Sequence, residues 1–200
     1  MINADYLEAL REALSFVTKD ADRAVDAIKE RFDSLHTLLA TDIELLSEIP
    51  ELGERGAYFL RVAFALASRR ITDNFKFGRA HTEEEILNYF KALYLPIADE
   101  TVYCMLFDES GRVISCEFIS EGTVSSTDVL PRKMLQLAVK KRAASIIIAH
   151  NHPAGVSDAS IEDVSATERV GRLFLASGKR VRCHYVIAGD KHTKIDCHPC

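Results

Sequence analysis

No stretch of the 200-residue chain reaches the roughly 18 consecutive apolar residues that a membrane span needs, so no membrane partner is expected. The N-terminus carries Asp5, Glu8, Arg11 and Glu12 where a secretory signal needs an apolar run, and the expected compartment is the cytoplasm. A basic surplus is missing too: 25 Lys+Arg face 30 Asp+Glu, a formal net charge of −5. Division at residue 80 changes nothing, because residues 1–80 hold 11 basic and 14 acidic side chains and residues 81–200 hold 14 and 16. That balance does not suit a protein whose main task is to coat DNA or an anionic membrane. There is no internal repeat, and with 48% apolar residues the chain has enough surface to bury to offset the entropy of ordering. Cysteines are few and odd in number (Cys104, Cys116, Cys183, Cys197 and Cys200). In a reducing compartment this favours free thiols or metal ligands over a disulfide framework.

What is present falls into two parts. Over residues 1–70, apolar residues recur at helical spacing (Leu7, Leu10, Leu14 and Val17, then Ala24, Val25, Ile28 and Phe32), and Pro50 and Gly53 interrupt the pattern before a last apolar run. This predicts a bundle of four or five short helices. Residues 71–80 carry no helical period and read as a linker. From residue 81 to 200 the pattern changes to a second domain. After a helix introduced by Thr82 and three glutamates, the order is β-β-α-β-α-β-β. The strands are expected at 101–107, 112–119, 145–149, 181–188 and 193–196, and the helices near 129–142 and 160–176. Ser126, Thr127 and Asp128 are read as the start signal of the first of those helices. The class is α/β in the broad sense, a mixed-sheet α+β domain flanked by helices.

The chemically informative stretch follows the apolar run Ser145–Ala149, which suits a central buried strand. His150 and His152 stand at i and i+2 at the strand end and point the same way, and Asp163 lies in the first turn of the next helix. Two imidazoles and one carboxylate on one ion leave a fourth position for water, the pattern of a catalytic zinc rather than a closed structural one. The same residues also fit a His-x-His pair on a loop and, in Ser160-x-x-Asp163, a capping box.

The combination His150-Asn151-His152-Pro153, Ser160 and Asp163, with Gly122-Thr123-Val124, Pro131-Arg132 and Ala143–Ile147, resembles the JAMM (MPN-plus) metalloproteases. Within them it resembles the bacterial RadC-like JAB-domain group. The resemblance implies a JAB/MPN fold over about residues 80–196, Zn2+ held by His150, His152 and Asp163, and hydrolysis of a peptide or isopeptide bond in an unidentified peptide or protein substrate. It further implies that Ser160 hydrogen-bonds the oxyanion or the water. The family's distant glutamate, the general base, falls on the strand before Gly122, where Glu117 fits and Glu121 is the fallback. RadC-like proteins also carry a traditional DNA-repair label, and a zinc-binding scaffold without turnover is a third reading.

Some residues depart from the pattern. Cys183-His184 replaces the group's Asp-His, and Ala154 replaces a serine after the His-x-His-Pro. The tail Cys197-His198-Pro199-Cys200 is too tight for one tetrahedral site and has no second cysteine pair to complete it. The first part resembles a helix-hairpin-helix segment, whose Gly-hydrophobic-Gly turn offers backbone N–H groups to phosphate. Here the turn is Ile49-Pro50-Glu51-Leu52-Gly53, with Glu51 in place of the first glycine, so a packing or protein-docking role is expected rather than DNA binding.

Overall fold

A computed structural model describes residue 2, residues 4–122 and residues 129–197. Five helices come first: α1 (Ala4–Leu14), α2 (Ala21–Arg31), α3 (Leu35–Ala40), α4 (Ile43–Ser47) and α5 (Gly53–Asn74). The apolar stripes meet in one core that includes Leu10, Leu14, Val25, Ile28, Leu38, Leu46 and Leu60. Asp20 caps α2 by accepting from the Arg23 N–H at 3.1 Å, and Ser34 with Thr37 forms a capping box on α3, each satisfying amides that a helix start leaves unpaired. In the hairpin between α4 and α5, the Leu52 and Gly53 N–H groups both donate to the Ile49 carbonyl, at 3.0 and 2.8 Å. Gly53 takes φ +62°, a conformation other residues rarely adopt. Two of the turn's amides are therefore spent within it.

α5 runs through Asn74, four residues into the stretch read as linker. Within this last turn Thr72 donates back to the carbonyls of Ser68 and Arg69, at 3.2 and 3.1 Å. The residues that follow are packed as well. Phe75 stacks on His81 with ring centroids 3.9 Å apart and also meets Tyr89. A period-based reading misses this because the aromatic contacts here are tertiary and have no repeat.

The second part comprises α6 (Glu83–Tyr94), β1 (Thr101–Phe107), β2 (Val113–Glu121), α7 (Val129–Lys140), β3 (Ser145–Asn151), α8 (Ile161–Ala176), β4 (Arg180–Ala188) and β5 (Lys191–Asp196). The five strands form one mixed sheet in the order β2-β1-β3-β4-β5. β3 and β4 run parallel, joined by α8, and the other pairs are antiparallel. Alternation along the strands divides the core. Met105, Phe107, Ile147, Ala149 and Tyr185 face α6, while Val102, Cys104, Leu106, Ile146 and Ile148 face α7 and α8. This is the expected α+β arrangement. Residues 123–128, including Thr123, Val124 and the start signal Ser126-Thr127-Asp128, lie outside the described residues, as do His198, Pro199 and Cys200.

Phe174 of α8 is wholly buried against the sheet and fixes the helix that carries Asp163. Its truncation removes a large ring from a core that cannot fully collapse. Phe174→Ala is expected to lower the unfolding free energy by about 3–5 kcal/mol, seen as an earlier urea midpoint at unchanged slope.

Candidate metal centre

The centre forms where β1 begins and β3 ends. His150 is the last-but-one residue of β3 and pairs with Val102 of β1. His152 follows the strand, its N–H donating to the Ile187 carbonyl of β4 at 2.8 Å. A tight turn then reverses the chain, with Gly155 at φ +81° and its N–H donating to the His152 carbonyl at 3.0 Å. Asp163 arrives from the first turn of α8 and is 3% exposed.

The three side chains converge. His150 Nε2 lies 2.9 Å from His152 Nε2 and 3.3 Å from Asp163 Oδ1, and His152 Nε2 lies 3.6 Å from Asp163 Oδ2. Ligands about 2.0–2.1 Å from a tetrahedral zinc stand roughly 3.3 Å from one another, so the spacing suits one such ion.

The hydrogen-bond network fixes which nitrogen of each imidazole faces the point of convergence. Thr167 Oγ1 donates its one proton to the Asp163 carbonyl at 2.7 Å, so it accepts from His184 Nδ1, 2.6 Å away. His184 is buried, and burial, then the neighbouring His150 and His152, lowers its pKa well below the ordinary histidine value. In the resulting neutral ring, Nε2 is an acceptor. It therefore receives the Nδ1–H of His150 at 2.7 Å, and the Nε2 lone pair of His150 points to the centre. Burial is also the main cause that pulls His150 down, to about 4, against the upward pull of Asp163. His152 Nδ1 lies 2.8 Å from the Val156 carbonyl, which only accepts, so Nδ1 is the donor there and Nε2 likewise faces inward. Two lone pairs and a carboxylate aimed at one point repel one another unless a cation or proton lies between them.

Ser160 caps α8. Its Oγ accepts from the Asp163 N–H at 3.1 Å and donates to Asp163 Oδ2 at 2.7 Å, while its own N–H donates to the same oxygen at 2.8 Å. The capping box and the orientation of the acid are thus one arrangement. The hydroxyl's single proton is committed to Asp163, so in this geometry it orients the acid instead of donating to an oxyanion.

Glu117 lies away from the two histidines. It sits on β2 opposite Cys104, which is opposite Ile148, two strands across and two residues short of His150. Its carboxylate pairs with Lys141 at 3.0 Å. Burial pushes its pKa up, but the hydrogen bonds it accepts and the charge of Lys141 outweigh this and hold it below the usual carboxylate range. The glutamate that the fold does bring to the histidines is Glu100: one of its oxygens and one nitrogen each of His150 and His152 lie within 4.8 Å of one another. Glu100 precedes β1, whose antiparallel pairing with β3 sets its start beside the end of β3. The signal available in the sequence was the acidic pair Asp99-Glu100 at the start of the first strand. Cys183 alternates with His184 and faces the α6 side of the sheet, so its thiol, pushed up to about 11 mainly by burial, has no part in the centre.

The family described as the RadC-like JAB domain matches residues 80–195. The UPF0758 protein of Thiobacillus denitrificans is 32% identical over 161 residues, covering 80% of this chain and 72% of that protein. The UPF0758 protein of Nitrosococcus oceani is 32% identical over 174 residues, 85% of this chain and 77% of that one. A helix-flanked mixed sheet with a histidine pair at the end of its central strand defines the class of domain. The chain belongs to the RadC-like JAB domain family. Among the described residues, no helix is long and apolar enough to cross a membrane.

Proposed function

We propose that this protein is a zinc-dependent hydrolase of amide bonds in peptide or protein substrates. The observation that carries the reading is the pair of Nε2 lone pairs directed at one point beside the buried Asp163 carboxylate. His150, His152 and Asp163 would hold the ion. Zinc bound there supplies Lewis acidity toward the scissile carbonyl and makes a water acidic enough to be deprotonated near neutral pH. Glu100 would be the general base of the site, accepting a proton at its carboxylate and returning it to the leaving amine. Ser160 holds Asp163, and Thr167 and His184 hold the tautomer of His150. Val156 and Ile161 expose 56% and 84% of their surface beside residues that build the centre, giving a polypeptide an apolar footing.

The test is metal analysis of purified wild type beside His152→Ala, followed by incubation of the zinc-loaded protein with a mixed peptide library and mass spectrometry of new amino termini. Wild type should carry one zinc ion per chain and His152→Ala none, with cleavage only by the former. Equal metal in both, or a metal-loaded wild type that cleaves no peptide, overturns the reading.

A further inference from the structure

We infer that Asn151, between the two histidines, is a positioning residue that sets Glu100 against the metal centre; this rests on the function proposed above. Asn151 is fully buried, and its side chain bonds to the segment that leads into β1. Its Oδ1 accepts from the Thr101 N–H at 2.8 Å, and its Nδ2 donates to the Asp99 carbonyl at 3.1 Å, with a longer contact of 3.5 Å to the Ile97 carbonyl. The amide thus brackets Glu100 by its two chain neighbours.

Other contacts close the frame. Thr101 Oγ1 donates to the Asp99 carbonyl at 3.1 Å, and the Gly122 N–H donates to the Glu100 carbonyl at 2.7 Å. Gly122 has φ +91°, a conformation that favours glycine. Glu100 lies just outside the β1–β3 ladder, where a backbone is ordinarily free to fray. The Asn151 amide takes the place of the missing ladder bonds there. A primary amide suits this task, since it offers an acceptor and a donor side by side, and the strand that directs His150 also carries the group that fixes Glu100.

The experiment is a mutant cycle read as the zinc dissociation constant, by competition with a chromophoric chelator. Partners that orient a metal centre from outside its ligands change affinity by roughly 10–100-fold. Glu100→Gln should weaken zinc by about 10-fold, Asn151→Ala should weaken it equally, and the double variant should bind no more weakly than either. Ile147→Ala, a core change on the same strand facing α6, should bind zinc like wild type, which separates positioning from general loss of stability. If Asn151→Ala fails to fold, Asn151→Asp replaces it; it keeps the acceptor for Thr101, loses the donor to Asp99, and should behave the same way. Wild-type affinity in the Asn151 variant, or multiplied losses in the double variant, overturns the proposal while leaving the role of Glu100 intact. Wild-type affinity in Glu100→Gln beside a weakened Asn151→Ala also overturns the proposal, because the amide then acts on zinc other than through Glu100, and no zinc bound by wild type overturns the reading of the site itself.

Discussion

Glu100→Gln should leave the protein folded and, at saturating zinc, fully loaded, yet lower peptide hydrolysis by roughly 10²–10⁴-fold, the contribution of a positioned general base. Glutamine keeps the size and hydrogen-bonding reach of the side chain but takes no proton, so the loss falls on turnover. The paired measurement is Glu117→Gln. That residue spends its charge on Lys141 at the β2 edge of the sheet, a partly exposed pair worth at most about 1 kcal/mol, and its loss should leave the cleavage rate at the wild-type value. Steady-state cleavage of one library peptide by the three proteins decides the matter. A normal rate in Glu100→Gln together with a collapsed rate in Glu117→Gln would reverse the assignment.

The two glutamates show what could be read in the sequence and what could not. Strands, helices and their order were legible because period-2 and period-3.6 patterns are local. The placement of His150 and His152 on one side was legible for the same reason, being a property of one strand end, and a helix-start acid a short loop later lies within reach of it. Glu100 and Glu117 differ in another way: both belong to the β1–β2 hairpin, and which one reaches His150 depends on the register of β1 against β3. That register pairs Val102 with His150, a contact across almost fifty residues that no local pattern encodes. The same holds for Asn151, whose partners at Asp99 and Thr101 lie at the start of a strand about fifty residues earlier in the chain, and for Phe75 and His81, which turn a supposed linker into a packed edge. His184 was legible as a motif position. Its orientation toward the centre, with Cys183 facing away, follows from strand alternation once the phase of β4 is known.

Asp163 is where the structural and chemical readings of one motif meet, and substitution separates them. As the third residue of a capping box it stabilises the start of α8, and as an acid in the first turn it suits the helix dipole. Asp163→Asn keeps an oxygen that can accept from the Ser160 N–H and hydroxyl, so the cap is largely preserved and the helix should lose only a few tenths of a kcal/mol, mostly the charge–dipole part. Zinc binding should fall much further, beyond the roughly 100-fold upper range seen when only an outer partner is removed, because an amide oxygen replaces the one anionic ligand. Asp163→Ala should lose both functions, with about 0.5–2 kcal/mol of stability gone with the cap and the metal with the carboxylate. The measurements are urea unfolding of the metal-free proteins and zinc competition on the same preparations. If the acid served only the cap, the asparagine variant would bind zinc like wild type, and stability and affinity would fall together in the alanine variant alone. If it serves the ion, the asparagine variant separates them, since a stable helix start then remains beside two imidazoles that have lost the charge balancing their cation.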